Sequence, residues 1–452
     1  MMDKHWFQGK HVLVLGLAKS GYHAALLLLK LGAHVTVNDA KDITHTEEAR
    51  HLMQKNVDIV SGGHPRSLME RSWDYVVKNP GIPYHNPLVQ EAQKQGIPVV
   101  TEIELASFVC KGEIVAITGT NGKTTTTTLI YHMLKEGNCH PHLAGNIGLV
   151  ASDVAKIVKE DEVMVTEVSS FQLKGTQFFH PKTAILLNIS DAHLDYHGTR
   201  EDYEMSKAKI FQRMTAKDTI IYNADDPAVS RLVKDAKGKL LPFSLAKKIN
   251  NGGYKENGAF YFQGKKVMEI EEVSLPGAHN EENMLAAICA SLLHGASLSS
   301  IQQVLRTFQG VEHRLQYVGN VAGRKVYNDS KATNIESTEK ALTAFSDPIV
   351  LIGGGLNRGV DFSPLIPSLA HVKAAVFYGE TKEQLKATAV KANVPRVKTT
   401  ETLEEAVKEA FSYSTKGDIV LLSPACASWD QFNTFEERGK TFIHAVQQLA
   451  GS

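Results

Sequence analysis

Three glycine-containing turns, each directly after a short run of apolar residues, constrain the fold of this chain more than any other sequence feature. The turns lie near Gly16, Gly119 and Gly353. A buried strand that runs through a glycine turn into a helix is the repeating unit of parallel α/β sheets. Because each turn is able to open a sheet of its own, we predict an α/β protein with three domains.

The apolar runs that alternate with helical spacing predict which segments form the sheets. Runs typical of strands that are buried on both faces occur at residues 12–15, 35–37, 75–77, 114–117, 163–165, 184–187, 349–352, 374–377 and 419–422. Residues 245–275 differ, because turn residues separate two short apolar runs, and we predict an antiparallel hairpin there. We place the domain borders near Glu104 and Gly310, which gives domains of residues 1–104, 105–310 and 311–452.

Composition and charge exclude several classes of function. Of the 452 residues, 43% are apolar and 22% are charged, as is typical of globular proteins. Lysine plus arginine equals aspartate plus glutamate, at 49 each. No excess of charge therefore indicates a nucleic-acid partner or an acidic membrane surface, and any anion-binding site must be local.

The cysteines and the N-terminus indicate the compartment. The four cysteines are widely spaced and form no Cys-x-x-Cys motif, which argues against a zinc ribbon or a disulfide scaffold. Residues 1–10 lack the apolar segment of a signal peptide. No apolar run approaches the roughly 18 residues of a membrane span. We therefore expect a cytoplasmic protein with no nucleic-acid or membrane partner.

The turn at Gly119 has the features of a loop that binds nucleotide phosphates. Backbone N–H groups at glycines surround a phosphate, the helix N-terminus and a lysine add positive charge, and a threonine hydroxyl is a ligand for Mg²⁺. The usual spacing places another glycine at position 117, where this chain has Ile117, so the loop is a shortened variant. The alternative is a tight turn with a surface lysine. That alternative leaves the threonine run at 124–128, a poor helix former, without a reason.

Two polar residues that follow predicted strands extend this candidate site. Glu167 follows the strand at 163–165, and His193 follows the strand at 184–187. The carboxyl ends of parallel strands face the ligand crevice of an open sheet. Glu167 is therefore a candidate ligand for Mg²⁺, and His193 is a candidate ligand for a metal or substrate. Each also has a plainer alternative, as an acid that only ends a strand and as a structural histidine.

Lys207 lies on the apolar face of a predicted helix. Thr199 and Asp202 have the spacing of a capping box that opens this helix. The apolar side chains at 203–214 share one face with Lys207, whereas Lys209 points elsewhere and its replacement should be nearly silent. A lysine on an apolar face must extend to the surface, pair with a counter-charge or lose its charge. The alternative to a lysine that extends to the surface is that Lys207 enters the active site.

Motifs that follow one order along the chain carry a family resemblance. They are the runs 119–125, 167–172, 188–195, 279–283, 313–314 and 328–334, together with Lys207. As a set they resemble the Mur ligases, the ADP-forming amide ligases of bacterial peptidoglycan synthesis, over essentially the whole chain. The runs at 16–21, 79–81, 145–148 and 423–430 resemble the branch of the family that joins D-glutamate to UDP-N-acetylmuramoyl-L-alanine.

The resemblance implies a fold and a role for individual residues. The fold has a Rossmann-like N-terminal domain for the UDP moiety, a central P-loop ATPase domain with a mainly parallel sheet, and a Rossmann-like C-terminal domain for the incoming amino acid. The implied catalytic residues are Lys123, Glu167, His193, Lys207 and Lys331. The implied ATP-binding residues are Gly119, Thr120, Asn121, Gly122, Lys123, Thr124, Thr125, Asn280, Asn283, Arg314 and Asp329. The implied substrate-binding residues are Gly16, Leu17, Ala18, Lys19, Asp39 and Gly81 for the UDP moiety, Asn146 and His193 for the muramoyl-alanine, and Thr333, Arg358, Ser428, Trp429 and Phe435 for D-glutamate.

The resemblance also implies two Mg²⁺ sites, one held by Thr124 and Glu167 and one by His193 and a carbamoylated Lys207. Carbamoylation accounts for the position of this lysine, because CO₂ adds to a neutral amine and a semi-buried amine is more easily neutral. The carbamate is an anionic oxygen ligand of the kind that Mg²⁺ prefers. We expect the enzyme to be a monomer.

The chain departs from the family pattern at two positions. Arg358 stands where the family has a lysine that contacts D-glutamate. Arginine keeps the charge and binds a carboxylate with two parallel hydrogen bonds, but its reach differs. The basic residue expected near uracil is present as Lys41, two positions after Asp39.

Three alternative functions fit parts of the sequence. A folylpolyglutamate synthase-like ligase would share the central fold, but the N-terminal turn at 16–21 argues against it. A nicotinamide dehydrogenase would explain the glycines of that turn and Asp39. However, the middle glycine of the dinucleotide fingerprint is Ala18 here, and Lys123 and Glu167 are left without a role. The third alternative is a non-catalytic nucleotide-binding protein. Release of ADP that depends on an amine substrate distinguishes among these functions.

Overall fold

The computed structural model of the protein describes residues 6–147, 149–190, 192, 194–275 and 277–450. The chain divides into two compact units, Met1–Phe308 and Gln309–Ser452. Within the described ranges, the first unit contains two β-sheets and the second contains one. No helix in these ranges is long and apolar enough to cross a membrane.

The N-terminal sheet is parallel and has the strand order β3-β2-β1-β4-β5 among the described residues. Its strands are β1 (His11–Leu15), β2 (His34–Asp39), β3 (Asp58–Ser61), β4 (Tyr75–Lys78) and β5 (Val99–Val100). Its helices are α1 (Lys19–Lys30), α2 (Glu47–Met53) and α3 (Pro87–Lys94), with a 3₁₀ helix at Arg66–Glu70. Because the strand order reverses between β1 and β4, the carboxyl ends of these two strands form the crevice where such sheets bind ligands.

The middle sheet has the order β14-β13-β12-β11-β10-β9-β6-β8-β7 among the described residues. Its strands are β6 (Glu113–Thr118), β7 (Pro141–Gly145), β8 (Val163–Glu167), β9 (Thr183–Leu186), β10 (Thr219–Asn223), β11 (Lys239–Ser244), β12 (Gly253–Glu256), β13 (Ala259–Phe262) and β14 (Lys265–Glu269). Its helices are α4 (Glu102–Val109), α5 (Lys123–Glu136), α6 (Ala151–Ala155), α7 (Ser170–Lys174), α8 (Leu194–His197), α9 (Arg200–Ala208), α10 (Pro227–Val233), α11 (Ala278–Leu293) and α12 (Leu298–Thr307). Two 3₁₀ helices lie at Lys209–Phe211 and Ile270–Glu272.

The middle sheet is parallel except at one edge. Strands β12, β13 and β14 pair antiparallel, so the hairpin predicted within residues 245–275 is confirmed. Strand β6 lies between β8 and β9 and pairs in parallel with both. The turn that follows β6 therefore opens at the centre of the parallel part of the sheet, where the strand ends face a ligand crevice.

The sheet of the second unit has the order β15-β16-β20-β17-β18-β19 among the described residues. Its strands are β15 (Gln316–Val321), β16 (Arg324–Asn328), β17 (Ile349–Gly354), β18 (Val372–Tyr378), β19 (Val397–Thr399) and β20 (Ile419–Leu422). Its helices are α13 (Ile335–Thr343), α14 (Ile366–Leu369), α15 (Lys382–Lys391), α16 (Leu403–Tyr413) and α17 (Phe435–Ala450), with a 3₁₀ helix at Ser363–Leu365. Strand β15 pairs antiparallel with β16, and the other described pairings are parallel.

The apolar runs identified in the sequence are the central strands of these sheets. Each of the predicted runs is a strand of the structure, and the run at 184–187 ends one residue early, at Leu186. These strands lie within the cores of their domains, and most of their side chains are fully buried. Parallel strands covered by helices on both faces are apolar on both faces, which is why a continuous apolar run identifies them.

Candidate nucleotide-binding and catalytic site

The loop between β6 and α5 depends on Gly122 for its shape. Gly122 has a φ of 79° and immediately precedes Lys123, the first residue of the helix. A Cβ atom at position 122 would collide with the side-chain oxygen of Asn283 on α11, the helix that packs against α5. Glycine is therefore required both for the left-handed backbone conformation and for the close approach of α11. The positively polarised N-terminus of α5 begins directly at this loop.

The threonine run at 124–128 lies in a regular helix, and most of its hydroxyl groups have hydrogen-bond partners. Thr127 and Thr128 donate to the backbone carbonyl oxygens four residues earlier, each at 2.8 Å. Thr126 donates to the side-chain oxygen of Asn283 at 3.3 Å. β-Branched residues lose side-chain freedom in a helix, and here hydrogen bonds and packing offset that loss.

The carboxylate of Glu167 lies at the centre of the candidate metal site. Glu167 is the buried last residue of β8. The hydroxyl group of Thr124 donates to its Oε2 atom at 2.7 Å, and the side-chain amide of Asn146 donates to its Oε1 atom at 3.2 Å. The structure therefore brings together three predicted site residues from distant parts of the sequence.

Two lysine side chains converge on the carbonyl oxygen of Gly119. The amine of Lys123 donates to this oxygen at 3.0 Å and the amine of Lys207 donates to it at 2.7 Å. Lys207 is only 1% exposed, so its predicted place on the apolar helix face is confirmed and the alternative in which it extends to the surface is wrong. Burial and, to a smaller extent, the charge of Lys123 hold the pKa of Lys207 well below its ordinary value, while Glu167 opposes this shift. This corner of the site is suited to an anionic ligand.

The helix that carries Lys207 begins where the sequence predicts, but its cap is one-sided. The side chain of Thr199 accepts a hydrogen bond from the backbone N–H of Asp202 at 3.1 Å. The carboxylate of Asp202 instead contacts the amine of Lys174 at 2.6 Å and the ring of His197 at 2.7 Å. The capping-box prediction is therefore right for the threonine and wrong for the aspartate, because stronger partners compete for its carboxylate.

Lys209 is more firmly held than its sequence position suggests. Its amine donates to the backbone carbonyl oxygens of Lys174 at 2.7 Å and Thr176 at 3.1 Å. Replacing Lys209 would leave these acceptors without their donor, so the expectation that its replacement is nearly silent loses its basis. Met205, which is 57% exposed on α9, is a better control position.

The loop after β9 holds the phosphate loop in place. The backbone N–H of Thr120 donates to the carbonyl oxygen of Asn188 at 2.9 Å, and the N–H of Asn121 donates to the side-chain oxygen of the same asparagine at 2.8 Å. The N–H of Ser190 also donates to the hydroxyl group of Thr120 at 3.0 Å. These bonds fix the backbone between the two glycines of the phosphate loop. His193, which follows this segment, lies outside the described residues.

The remaining ATP-binding residues predicted in the first unit lie on the two helices that meet at Gly122. Thr125 is in the first turn of α5. Asn280 and Asn283 are both buried near the start of α11. The structure thus places these asparagines and the phosphate loop at the same end of the middle sheet.

The predicted UDP-binding residues meet at the carboxyl ends of β1, β2 and β4. Gly16 has a φ of 85°, and a Cβ atom there would lie 3.1 Å from the Cβ atom of Asn79. The carboxylate of Asp39 accepts a hydrogen bond from the N–H of Leu17 at 2.8 Å. The N–H of Gly81 donates to the side-chain oxygen of Asn79 at 3.1 Å. The two other predicted residues, at the exposed start of α1, are Ala18 and Lys19.

In the second unit, one group of predicted residues consists of Asp329 and Lys331, which follow β16, and Arg314, which precedes β15. The buried carboxylate of Asp329 accepts hydrogen bonds from the hydroxyl of Ser423 at 2.9 Å and from the N–H of Leu315 at 3.1 Å. Burial raises the pKa of Asp329 to about 7. Arg314 is exposed. The amine of Lys331 lies 3.8 Å from the ring centroid of Phe435.

Other predicted D-glutamate residues line the loops of the same unit. The guanidinium of Arg358 lies 4.7 Å from the ring centroid of Trp429. Both side chains are exposed, whereas the neighbouring Ser428 is buried. Thr333 is half-buried, and its N–H donates to the carbonyl oxygen of Lys331 at 2.8 Å. An exposed cation held over an aromatic ring is available to an anionic ligand.

A buried arginine of the second unit was missed by the sequence reasoning. Arg438 on α17 is fully buried and donates to the hydroxyl and carbonyl oxygens of Ser330 at 3.0 and 2.8 Å. It also donates to the carbonyl oxygen of Cys426 at 3.0 Å. Arg438 lies on the apolar stripe of α17, between Phe435 and Phe442. The same signal that identified Lys207 could therefore have identified it.

A buried lysine of the first unit was missed as well. Lys78 ends β4, is 1% exposed, and donates to the carbonyl oxygen of Ile82 at 2.8 Å and the hydroxyl group of Tyr196 at 2.9 Å. Three apolar residues precede it in the strand. A lysine directly after three apolar residues of a predicted strand was the sequence signal from which its burial could have been predicted.

Three family models match consecutive parts of the chain. The model described as "Mur ligase MurD-like, N-terminal domain" matches residues 10–101, "Mur ligase middle domain" matches residues 117–291, and "Mur ligase, glutamate ligase domain" matches residues 313–426. The relative named UDP-N-acetylmuramoylalanine--D-glutamate ligase from Bacillus mycoides is 54% identical over 98% of this chain and 98% of its own length. A relative of the same name from Halalkalibacterium halodurans is 54% identical over 99% of this chain and 100% of its own length.

Solved structures share the fold at lower identity. The UDP-N-acetylmuramate-alanine ligase MurC from Thermotoga maritima has a TM-score of 0.59 and 21% identity, covering 97% of this chain and 99% of that one. The MurF ligase from Thermotoga maritima, solved in complex with ADP, has a TM-score of 0.57 and 17% identity, covering 99% of this chain and 97% of that one. The predicted α/β fold with three domains is confirmed. The chain belongs to the Mur ligase family.

Proposed function

We propose that the protein is an ATP-dependent ligase that joins D-glutamate to UDP-N-acetylmuramoyl-L-alanine and releases ADP and phosphate. The observation that carries this proposal is the position of Lys123 at the start of α5, with its amine at the carbonyl oxygen of Gly119, beside the contact between Thr124 and Glu167. Such an arrangement suits the binding of phosphates and the neutralisation of charge in phosphoryl transfer. The names of the relatives at 54% identity support the choice of substrates.

The donor set beside the phosphate loop fits Mg²⁺. The hydroxyl group of Thr124 lies 2.7 Å from the carboxylate of Glu167, and oxygen atoms of these kinds bind Mg²⁺ together with substrate phosphates. We assign these two residues to one ion, and His193 with a carbamoylated Lys207 to a second. When bound, Mg²⁺ supplies positive charge that offsets the negative charge of the phosphates and of the substrate carboxylate.

Carbamoylation of Lys207 fits the surroundings of its amine. The side chain is 1% exposed, and none of the described carboxylates forms an ion pair with it. A charged amine is unfavourable in such a place. Addition of CO₂ forms a bond between nitrogen and carbon and releases one proton to solvent. The carbamate would supply anionic oxygen atoms of the kind that bind Mg²⁺.

The proposed reaction has two steps. An oxygen of the substrate carboxylate attacks the γ-phosphorus of ATP, the bond to the β-phosphate oxygen breaks, and ADP leaves. The amine of D-glutamate then attacks the acyl carbon, loses a proton and displaces phosphate as the amide forms. Lys123 and the N-terminus of α5 bind phosphate oxygens and so hold the γ-phosphoryl group in place for attack.

We assign each domain one part of this reaction. Residues 1–104 bind the UDP moiety, residues 105–310 bind ATP, and residues 311–452 bind D-glutamate. The setting that we propose is the cytoplasmic synthesis of peptidoglycan precursors, by a monomer with small-molecule substrates. The crevice between the ends of β1 and β4 supports the first assignment, because Gly16, Asp39 and Gly81 lie at these strand ends and at that of β2.

Release of ADP by the purified protein, with ATP and Mg²⁺ supplied, tests the proposal. We expect ADP only when UDP-N-acetylmuramoyl-L-alanine and D-glutamate are both present. Use of meso-diaminopimelate, L-lysine or L-alanine in place of D-glutamate would assign the protein to another branch of the family. Tight binding of NAD without binding of the UDP substrate would favour the dehydrogenase.

Arg358→Ala is expected to raise the half-saturating concentration of D-glutamate at least about tenfold, because a hydrogen bond to a charged group contributes about 1.5–3 kcal/mol. The guanidinium, held 4.7 Å from the ring centroid of Trp429, is proposed to bind a carboxylate of the amino acid. Arg358→Lys should restore part of the affinity, since it keeps the charge without the planar geometry. Steady-state kinetics with D-glutamate varied would measure both effects.

Arg396→Ala provides the control for this measurement. Its guanidinium lies 5.8 Å from the ring centroid of Tyr413, another arginine–aromatic pair of the second unit. We expect its half-saturating concentrations to match those of the wild type. An unchanged value for D-glutamate in Arg358→Ala would contradict the assigned role of Arg358.

A further inference from the structure

We propose that Lys78 and Tyr196 form a positioning link between the loop after β4 and the segment that leads to Lys207. The inference rests on the proposed function, in which the loop at 79–82 belongs to the UDP site and Lys207 holds Mg²⁺. Neither Lys78 nor Tyr196 has a part in the proposed chemistry, although their contact joins two domains of the first unit.

Lys78 holds the loop that follows it in the chain. Its Nζ atom donates to the carbonyl oxygen of Ile82 at 2.8 Å and lies 3.3 Å from that of Pro80. The side chain is 1% exposed, and no described carboxylate forms an ion pair with it. The carbonyl groups of the loop are thus gathered around one buried amine, and the loop would lose these bonds if it moved.

Tyr196 connects this loop to α8. Its hydroxyl group accepts a hydrogen bond from Lys78 at 2.9 Å and donates one to the carbonyl oxygen of Pro80 at 3.0 Å. The two residues are 118 positions apart in sequence. Tyr196 lies three residues after His193 in the chain, the residue that we assign to the second metal ion. A shift of the loop would therefore move Tyr196, which follows this residue in the chain.

His197 extends the link to the helix that carries Lys207. Its Nδ1 atom lies 2.7 Å from the carboxylate of Asp202 in the first turn of α9, and its Nε2 atom lies 3.0 Å from the hydroxyl oxygen of Ser170. The ring of Phe171 stacks on that of His197, with the centroids 5.5 Å apart and an angle of 9° between the planes. Helix α9 is therefore held to residues 196–197, which are held to the loop at 79–82.

The unfavourable position of the amine argues that the link has a function. Burial and, to a smaller extent, the charge of Lys174 lower the pKa of Lys78 to about 7. An apolar side chain of similar length would fill the same space without this cost. A hydrogen-bond donor at position 78 offsets this cost in function if the loop at 79–82 and Tyr196 must keep the same relative position.

Tyr196→Phe tests the link because it removes only a hydroxyl group. We expect the half-saturating concentrations of UDP-N-acetylmuramoyl-L-alanine and of free Mg²⁺ each to rise about fivefold to tenfold, as for the loss of one buried hydrogen bond. The value for D-glutamate should stay unchanged. Lys78→Met, which keeps the length of the side chain, should raise the same two values at least as much, because it also removes the bond to the carbonyl oxygen of Ile82. The double variant should be no worse than the poorer single variant, because both substitutions break one link.

Tyr84→Phe is the matched control. The hydroxyl group of Tyr84 is buried in the same region, but it has no hydrogen-bond partner within the described structure. Its removal should leave every half-saturating concentration at the wild-type value. The comparison separates the loss of the link from the loss of a buried hydroxyl group.

Three results would overturn the inference. The first is that Tyr196→Phe has the same effects as Tyr84→Phe, the second is that the effects of Tyr196→Phe and Lys78→Met add, and the third is that activity falls only with the folded fraction at unchanged half-saturating concentrations. Failure of the proposed function is a separate outcome, because it would be seen in the wild type as the absence of ADP release with both substrates present. Thermal unfolding of each variant supplies the folded fraction.

Discussion

Lys207→Ala is expected to reduce ligation about a thousandfold, the scale for losing one group that stabilises charge in the transition state, while the protein stays folded. The fold should tolerate the change, because the amine of Lys207 is buried on an apolar helix face where its charge is unfavourable. Release of ADP measures the loss of activity. Far-UV circular dichroism measures the retention of the fold.

Small carboxylic acids should partly restore turnover in Lys207→Ala. Their oxygen atoms would occupy the space that the lysine side chain leaves and would replace the carbamate oxygens as ligands for Mg²⁺. Met205→Ala, on the exposed face of the same helix, should have nearly normal activity and no response to these acids. Near-normal activity in Lys207→Ala would remove this lysine from the reaction. A bare amine in a high-resolution structure with Mg²⁺ and nucleotide bound would contradict the carbamate.

The strands and the buried face of α9 could be predicted because local pattern determines them. A strand covered on both sides is apolar at every position, and a helix that packs on one face repeats its apolar residues with the helical period. Lys207 interrupts such a face, so the burial of its carbon chain follows from that position, whereas the sequence left open whether the amine extends to the surface. The role of the buried amine does not follow in the same way, because it depends on Gly119, which is 88 residues away in sequence.

Contacts between distant segments account for what the sequence reasoning missed. Lys78 and Tyr196 are 118 positions apart, and neither segment contains a signal for the other. Asp202 has the spacing of a capping residue, yet its carboxylate contacts Lys174 and His197. Only the folded structure brings these two partners within reach of the carboxylate.

Arg438 differs from these cases, because its signal was present in the sequence. The arginine lies between Phe435 and Phe442 on the apolar stripe of α17. Arginine is rarely buried without partners, and this one binds backbone and hydroxyl oxygens of Ser330 and Cys426. Ser330 precedes Lys331 in the chain, so one guanidinium holds a loop that carries a proposed catalytic residue.

Arg438→Met is expected to lower the free energy of unfolding by about 3–5 kcal/mol, because the guanidinium donates to several buried oxygen atoms of Ser330 and Cys426 and a buried polar group that loses its partner costs about 1–3 kcal/mol. Methionine fills much of the space but leaves buried oxygen atoms without a donor. A change of this size is a large fraction of the stability of a typical domain, about 5–15 kcal/mol, so activity should fall as well. Urea unfolding followed by circular dichroism measures the change.

Lys440→Met, at an exposed position of the same helix, should change the stability by less than about 0.5 kcal/mol. Equal stabilities of the two variants would show that the guanidinium does not organise these loops.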